Sequence, residues 1–286
     1  MRHACSGRLV TTVTDLGPQG RSRIRELLDS YELSPRKSLG QNFLADPNVI
    51  RKIVRIAGID SGSRVVEIGG GTGTLTEALA ATGASVVVYE IDDGLVEVLG
   101  GVVGDLPNVE VRHEDAARVD LEQALVGGPW TLVANLPYNV GTGILLDAIR
   151  GAPRVTRFVA MVQREVADRL FAEAGSKTYG VPSVVIALYT AGGPEFNVGP
   201  DVFYPKPPVG STVVVLDRIE PPEKAEQAVS IAAVAFQQRR KMLRKSLESV
   251  LDDPAPALLS AGIDPTARAE DLQPLDFITL AEVMDR

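Results

Sequence analysis

One cysteine, Cys5, is all the thiol chemistry this 286-residue chain carries. An intrachain disulfide framework and a Cys-rich metal site are both excluded, and a reducing, cytoplasmic setting is expected. Long apolar runs are missing too. One uncharged stretch, Thr178 to Pro194, is broken by Gly180, Pro182, Gly192 and Gly193 and makes a poor membrane span. The first twenty residues lack the apolar core that a signal peptide needs. Positive charge is not in excess: the net charge is −8, so any nucleic-acid contact must come from local basic clusters. Internal repeats and low-complexity tracts are absent.

What is present is a composition 45% hydrophobic, ample for the core of one large or two medium domains. Residues 1–20 show no periodicity and read as a mobile tail. Ile24, Leu27, Leu28 and Tyr31 recur at helical spacing between Arg21 and Leu33. The next segment, Ser34 to Leu44, carries Arg36 and Lys37 and then Gln41-Asn42-Phe43-Leu44. It is either a solvated linker or a lid over a ligand. Asp46-Pro47 supplies an N-cap and first turn for a helix to Ala57.

Four strand exits then follow on one beat. Arg64 to Ile68 reads as a strand running into Gly69-Gly70-Gly71-Thr72-Gly73, with a helix from Thr74 to Ala81 behind it. Such glycines permit a tight turn and close approach of a ligand. The dinucleotide fingerprint fails, because its sixth position is Thr74 counted from Gly69 and Thr76 counted from Gly71. Ser85 to Tyr89 is a strand ending in Glu90, and Val109 to Arg112 is a third, with Asp115 just beyond. Trp130 to Ala134 leads to Asn135. Parallel β-α-β units place Gly69, Glu90, Asp115 and Asn135 along the same edge of a sheet, where α/β proteins bind ligands. A carboxylate such as Glu90 suits a ribose diol, and Asp115 suits an adenine amino group.

The fourth exit, Asn135-Leu136-Pro137-Tyr138, joins an amide, a rigid proline and an aromatic face. Pro137 restricts its own φ and the residue before it, so nearby carbonyls point in set directions. Tyr138 offers a face on which a planar base can stack. The alternative is a strand followed by a tight turn with a buried tyrosine. Farther on, a helix is expected over Val140 to Arg150, a strand over Arg157 to Val162, a helix over Gln163 to Ala174, and last strands over Ser183 to Thr190 and Thr212 to Leu216. Phe203 to Val209 is a proline-stiffened loop whose Phe203 is either buried or a second stacking face. Pro221-Pro222 marks a boundary, after which the chain looks helical. There Arg239, Arg240, Lys241, Arg244 and Lys245 form a solvated face or a set of phosphate contacts.

From about Lys37 to Leu247 these motifs resemble the KsgA/RsmA family of small-subunit ribosomal RNA adenine dimethyltransferases. Gly40-Gln41-Asn42-Phe43-Leu44, Asn135-Leu136-Pro137-Tyr138-Asn139, Gln163-Arg164-Glu165-Val166-Ala167, Tyr179-Gly180 with Ser183, Phe203 with Pro205, and Gln238 to Lys241 occur in the family's order. The resemblance implies a class I, Rossmann-like methyltransferase domain with a seven-stranded mixed sheet over residues 21–218, followed by a small helical RNA-binding domain over 219–286. It implies S-adenosylmethionine as cofactor without a metal, bound by Asn42, Leu44, Gly69, Gly71, Glu90, Ile91, Asp115 and Asn135. Catalytic contacts are implied for Asn135, Leu136, Pro137, Tyr138 and Phe203, and RNA contacts for Arg36, Lys37, Arg239, Arg240, Arg244 and Lys245. The implied partner is 16S ribosomal RNA in the small subunit, acted on by a monomer. The nearest rival is a large-subunit ribosomal RNA adenine methyltransferase of the antibiotic-resistance type, which usually carries Ile after the anchor Asn. The chain departs from the family's usual pattern at Gly70, Glu114, Gly141, Gly143, Pro208 and Gly210.

Overall fold

Parallel pairing of four consecutive strand exits sets the architecture. The computed structural model describes residues 20–284, so the tail expected at 1–20 lies, but for Gly20, outside the described residues. In chain order the elements are α1 (Arg21–Ser30), β1 (Phe43–Leu44), α2 (Pro47–Ala57), β2 (Arg64–Ile68), α3 (Thr74–Ala80), β3 (Ser85–Glu90), α4 (Asp93–Val103), β4 (Val109–His113), α5 (Leu121–Ala124), β5 (Trp130–Asn135), α6 (Gly141–Gly151), β6 (Val155–Gln163), α7 (Arg164–Leu170), α8 (Val181–Tyr189), β7 (Thr190–Val198), β8 (Phe203–Tyr204), β9 (Ser211–Arg218), α9 (Ala225–Gln237), α10 (Leu243–Ser246), α11 (Pro254–Ser260) and α12 (Pro274–Met284). Seven strands form one sheet in the order β4-β3-β2-β5-β6-β9-β7, and β1 pairs separately with β8. The first five sheet strands are parallel; β9 and β7 are antiparallel to their neighbours. The sheet is therefore seven-stranded and mixed, and the exits of β2, β3, β4 and β5 lie on one edge.

Local chemistry explains the boundaries. Asp46 Oδ1 accepts from the Asn48 and Val49 amides and Pro47 opens the first turn, so α2 begins where the sequence predicts. Asp92 caps α4 in the same way through the Gly94 and Leu95 amides. Val65 and Val66 of β2, like Leu132 and Val133 of β5, are buried, as expected for central strands covered on both faces. The larger apolar cluster runs from Val66 and Leu132 through α6 and α8 into α9 and α12, so the C-terminal helices share the core of the sheet's covering layer.

Two expectations fail. Ser183 to Thr190 is not a strand but most of α8. Its run of Val184, Val185, Ile186, Leu188 and Tyr189 is buried on nearly all sides, which erases the helical period. The helix is started by Pro182 in its first turn and by the Ser183 hydroxyl, which accepts from the Gly180 amide and donates to the Arg169 carbonyl. The seventh strand is β7, whose Gly192, Gly193 and Pro194 read as breakers. It is tolerated because β7 is an edge strand paired only with β9, with a register shift between Pro194 and Phe196. The continuous helix expected through the basic run also fails: α9 ends at Gln237, and a turn separates it from the four-residue α10.

Candidate active site

The glycine turn after β2 forms one wall of a cleft of about 200 Å³ at the sheet's exit edge. Gly69 and Gly71 adopt φ of +79° and +56°, conformations that side chains resist. A Cβ on Gly71 would also sit 3.1 Å from the Phe43 ring. The turn thus leaves backbone, not side chain, against the space. Among the predicted residues, Asn42, Gly69, Gly71, Glu90, Ile91, Asp115, Asn135, Leu136, Pro137 and Tyr138 all line this one cleft.

Glu90 sits at the exit of β3, and its carboxylate organises the turn. Oε2 accepts from the Gly71 amide at 2.8 Å; Oε1 accepts from Ile91 and Asp92, both at 2.9 Å. A carboxylate has about four acceptor positions, so these three bonds leave capacity for a ligand hydroxyl. Burial pushes the Glu90 carboxyl above the usual range, against the opposing pull of those amides. Behind it Glu67, 1% exposed, is driven by burial up to about 8, with the Thr76 hydroxyl opposing and the Glu90 charge reinforcing. Its Oε2 has no hydrogen-bond partner. On the adjoining wall Asp115 is tied to the Ala117 amide and to Arg118. Ile91, 48% exposed, supplies an apolar rim suited to a flat ring.

The opposite wall is the exit of β5. Asn135 turns its amide so that Nδ2 donates to the Asn42 carbonyl at 3.0 Å, which leaves Oδ1 as the acceptor offered to the cleft. Leu136 is buried at 2%, and its side chain anchors the turn in the core while the backbone borders the cleft. The Pro137 carbonyl accepts from Gly141 to start α6. The Tyr138 hydroxyl is bound to the Ser211 hydroxyl at 2.7 Å, and burial raises its pKa despite that bond.

A strap over residues 36–42 spans both walls, an arrangement the sequence hinted at only as a lid. Gln41 Nε2 donates to Asp92 Oδ2 at 2.9 Å, Arg36 reaches the same oxygen at 3.1 Å, and the Arg36 amide donates to Gln41 Oε1. At the far side Asn139 Nδ2 donates to the Ser38 carbonyl. Nothing in the sequence joins Gln41, Asp92 and Asn139 into one strap, since its partners are 51 and 101 residues apart.

Some predicted residues fall elsewhere. Phe203, at 0% exposure, is packed in the core beside Leu44, Ile50 and Val213, so it is not a stacking face in this conformation. Its β8 pairing with β1 turns it inward, Leu44 opposite Phe203. Leu44 is likewise a core side chain, and Phe43 borders the cleft in its place. Arg239 is drawn into structure: it pairs with Glu270 at 2.7 Å and donates to the Tyr179 and Ser176 carbonyls. Lys245 pairs with Glu248. Arg240, Lys241 and Arg244 are exposed, as is Lys37 at the start of the strap's turn. Among the described residues no group of three His, Cys, Asp or Glu is placed to hold a metal ion, and no helix is long and apolar enough to cross a membrane.

A family model described as ribosomal RNA adenine dimethylase matches residues 33–286. A relative in Leifsonia xyli subsp. xyli, named ribosomal RNA small subunit methyltransferase A, is 42% identical, covering 92% of this chain and 97% of its own length. The solved structure of the 23S rRNA methyltransferase ErmE is 25% identical with a TM-score of 0.64, covering 86% of this chain and all of its own. A dimethyladenosine transferase structure from Plasmodium falciparum shares the fold at 24% identity, with a TM-score of 0.67 over 83% of this chain and 95% of its own.

Proposed function

The chain belongs to the ribosomal RNA adenine dimethylase family, and from that membership we propose how its cleft works. It is a ribosomal RNA adenine dimethyltransferase. Its substrate is the small-subunit RNA, the reading favoured by the 42% relative over the 25% large-subunit one. In detail, it dimethylates N6 of two adjacent adenosines in a hairpin loop near the 3′ end of 16S ribosomal RNA, in four transfers, as a cytoplasmic monomer contributing to ribosome biogenesis.

The cleft fits S-adenosylmethionine by the chemistry of its walls: a glycine turn without side chains, an acceptor carboxylate at Glu90, an apolar rim at Ile91 and an acid at Asp115. When bound, that group supplies an electrophilic sulfonium methyl. Glu90 would hold a ribose hydroxyl and Asp115 the adenine amino group, with the backbone of Gly69, Gly71 and Asn42 closing around the rest.

One observation carries the chemistry: the Asn135 amide is pinned by the Asn42 carbonyl, so its oxygen is the free acceptor. Adenine N6 is a weak nucleophile because its lone pair is delocalised into the ring. Asn135 Oδ1 and the Leu136 carbonyl accept its two hydrogens and turn the lone pair out of conjugation. Tyr138, fixed by Ser211, stacks on the target base. Positioning of this kind is worth up to ~7–11 kcal/mol. The target base must leave its stack to enter, which favours a loop. The helical segment 219–286 and Lys37 supply RNA contacts through exposed cations.

Asn135→Ala tests this reading. Turnover is expected to fall at least a hundredfold in a folded protein, with S-adenosylhomocysteine affinity reduced far less, measured by methyl transfer to unmethylated small subunits and by calorimetry. Near-normal dimethylation would remove Asn135 from the mechanism.

A further inference from the structure

A second hollow, of about 430 Å³, lies beside the cleft and is lined by Gln163, Arg164, Glu165, Asp168, Val209 and Gly210. Its place follows from the sheet. In the β5–β6 pair Asn135 lies opposite Met161, so Gln163 stands two residues past Asn135's level, one strand over. At ~4.8 Å between strands and ~3.3 Å per residue this is about 8 Å away. On its other side Gln163 lies opposite Ser211, whose hydroxyl holds Tyr138, and the Arg164 amide donates to the Gly210 carbonyl at 3.0 Å. The hollow and the base-stacking tyrosine therefore share one rigid piece of ladder.

Its chemistry points to a nucleotide. Gln163 presents an amide with both donor and acceptor, the group that pairs with an adenine edge. Arg164 is exposed and makes no ion pair among the described residues. With Gly210 beside it, no side chain stands between the guanidinium and that strand: a Cβ there would lie 3.7 Å from Nη2. Glu165 and Asp168 on the same wall offset the positive charge, and Glu165 also faces Arg169 at 3.7 Å. Bulk attraction for phosphate is thus weak here, and the site selects by fit. Arginine planes and amides of this kind read unstacked bases in single-stranded RNA.

We propose that this hollow binds the nucleotide flanking the target adenine, with Gln163 on its base edge and Arg164 on its phosphate or stacked on the base. The inference rests on the RNA-methylating role of the neighbouring cleft. It assigns to Gln163 a part in choosing which adenine is presented.

The test compares wild type, Gln163→Ala and Arg164→Ala on unmethylated small subunits carrying either the native sequence or a uracil in place of one flanking base at a time. Methyl transfer is read as kcat/KM, with S-adenosylhomocysteine affinity as the control for an intact cleft. Wild type is expected to prefer the native base on one side by roughly tenfold, the scale of one amide–base pair. Gln163→Ala should abolish that preference, and Arg164→Ala should lower kcat/KM on both templates. If Gln163→Ala discriminates as wild type does, or wild type shows no flanking preference, the subsite is refuted. If wild type methylates no ribosomal RNA at all, the parent reading fails and this one with it.

Discussion

Glu67 shows what a single buried carboxyl contributes to this fold. Its pKa, raised from 4.5 to about 8, means that the folded state holds a proton the unfolded state releases. Between pH 4.5 and 8 the native chain binds more protons, so the contribution of Glu67 to stability is full below 4.5 and is lost as pH rises through 8. Glu67→Gln keeps the neutral shape and removes that dependence. Relative to wild type it should gain on the order of 3–4 kcal/mol between pH 5 and pH 8, read by denaturant unfolding at each pH. Parallel curves for the two proteins would mean that Glu67 is charged in the fold. The same scale explains which site residues were legible. Glu90 and Asn135 stand out because a polar residue ends an apolar run. The orientation of Phe203 is not legible, because an aromatic in a proline-rich loop carries no mark of which way the loop turns it.

Among the elements, the strap over 36–42 links the two walls. Its hold on the cofactor wall is Gln41 and Arg36 on Asp92; its hold on the base wall is Asn42 on Asn135 and Ser38 on Asn139. Gln41→Ala removes a hydrogen bond to a carboxylate, worth roughly 1–3 kcal/mol in a setting such as this. It should weaken S-adenosylhomocysteine binding about tenfold or more and speed amide hydrogen exchange over 36–44. Unchanged exchange and affinity would show that the strap closes without this latch. The strands β2, β3, β5 and β6 are legible because buried parallel strands read as short apolar runs bounded by turns. The exchange of α8 for β7 was not legible. A helix buried on all sides loses its period, and an edge strand tolerates the glycines and proline that argue against it.

At the scale of the whole molecule, an acidic protein must hold RNA through a few exposed cations. The turn between α9 and α10 divides the basic run: Arg239 is given to Glu270 and Lys245 to Glu248, while Arg240, Lys241 and Arg244 remain exposed. Neutralising those three together should weaken subunit binding and reduce the slope of log K against log salt by about 2. Cofactor affinity should be unchanged, since the cleft's lining does not include them. Wild-type affinity and slope would place the RNA path elsewhere. The most direct test of the central claim is mass mapping of ribosomal RNA after purified protein and S-adenosylmethionine are incubated with unmethylated small and large subunits. The proposed function predicts two adjacent N6,N6-dimethyladenosines near the 3′ end of the small-subunit RNA. Methylation confined to large-subunit RNA, or none from a folded protein that binds the cofactor, would contradict it.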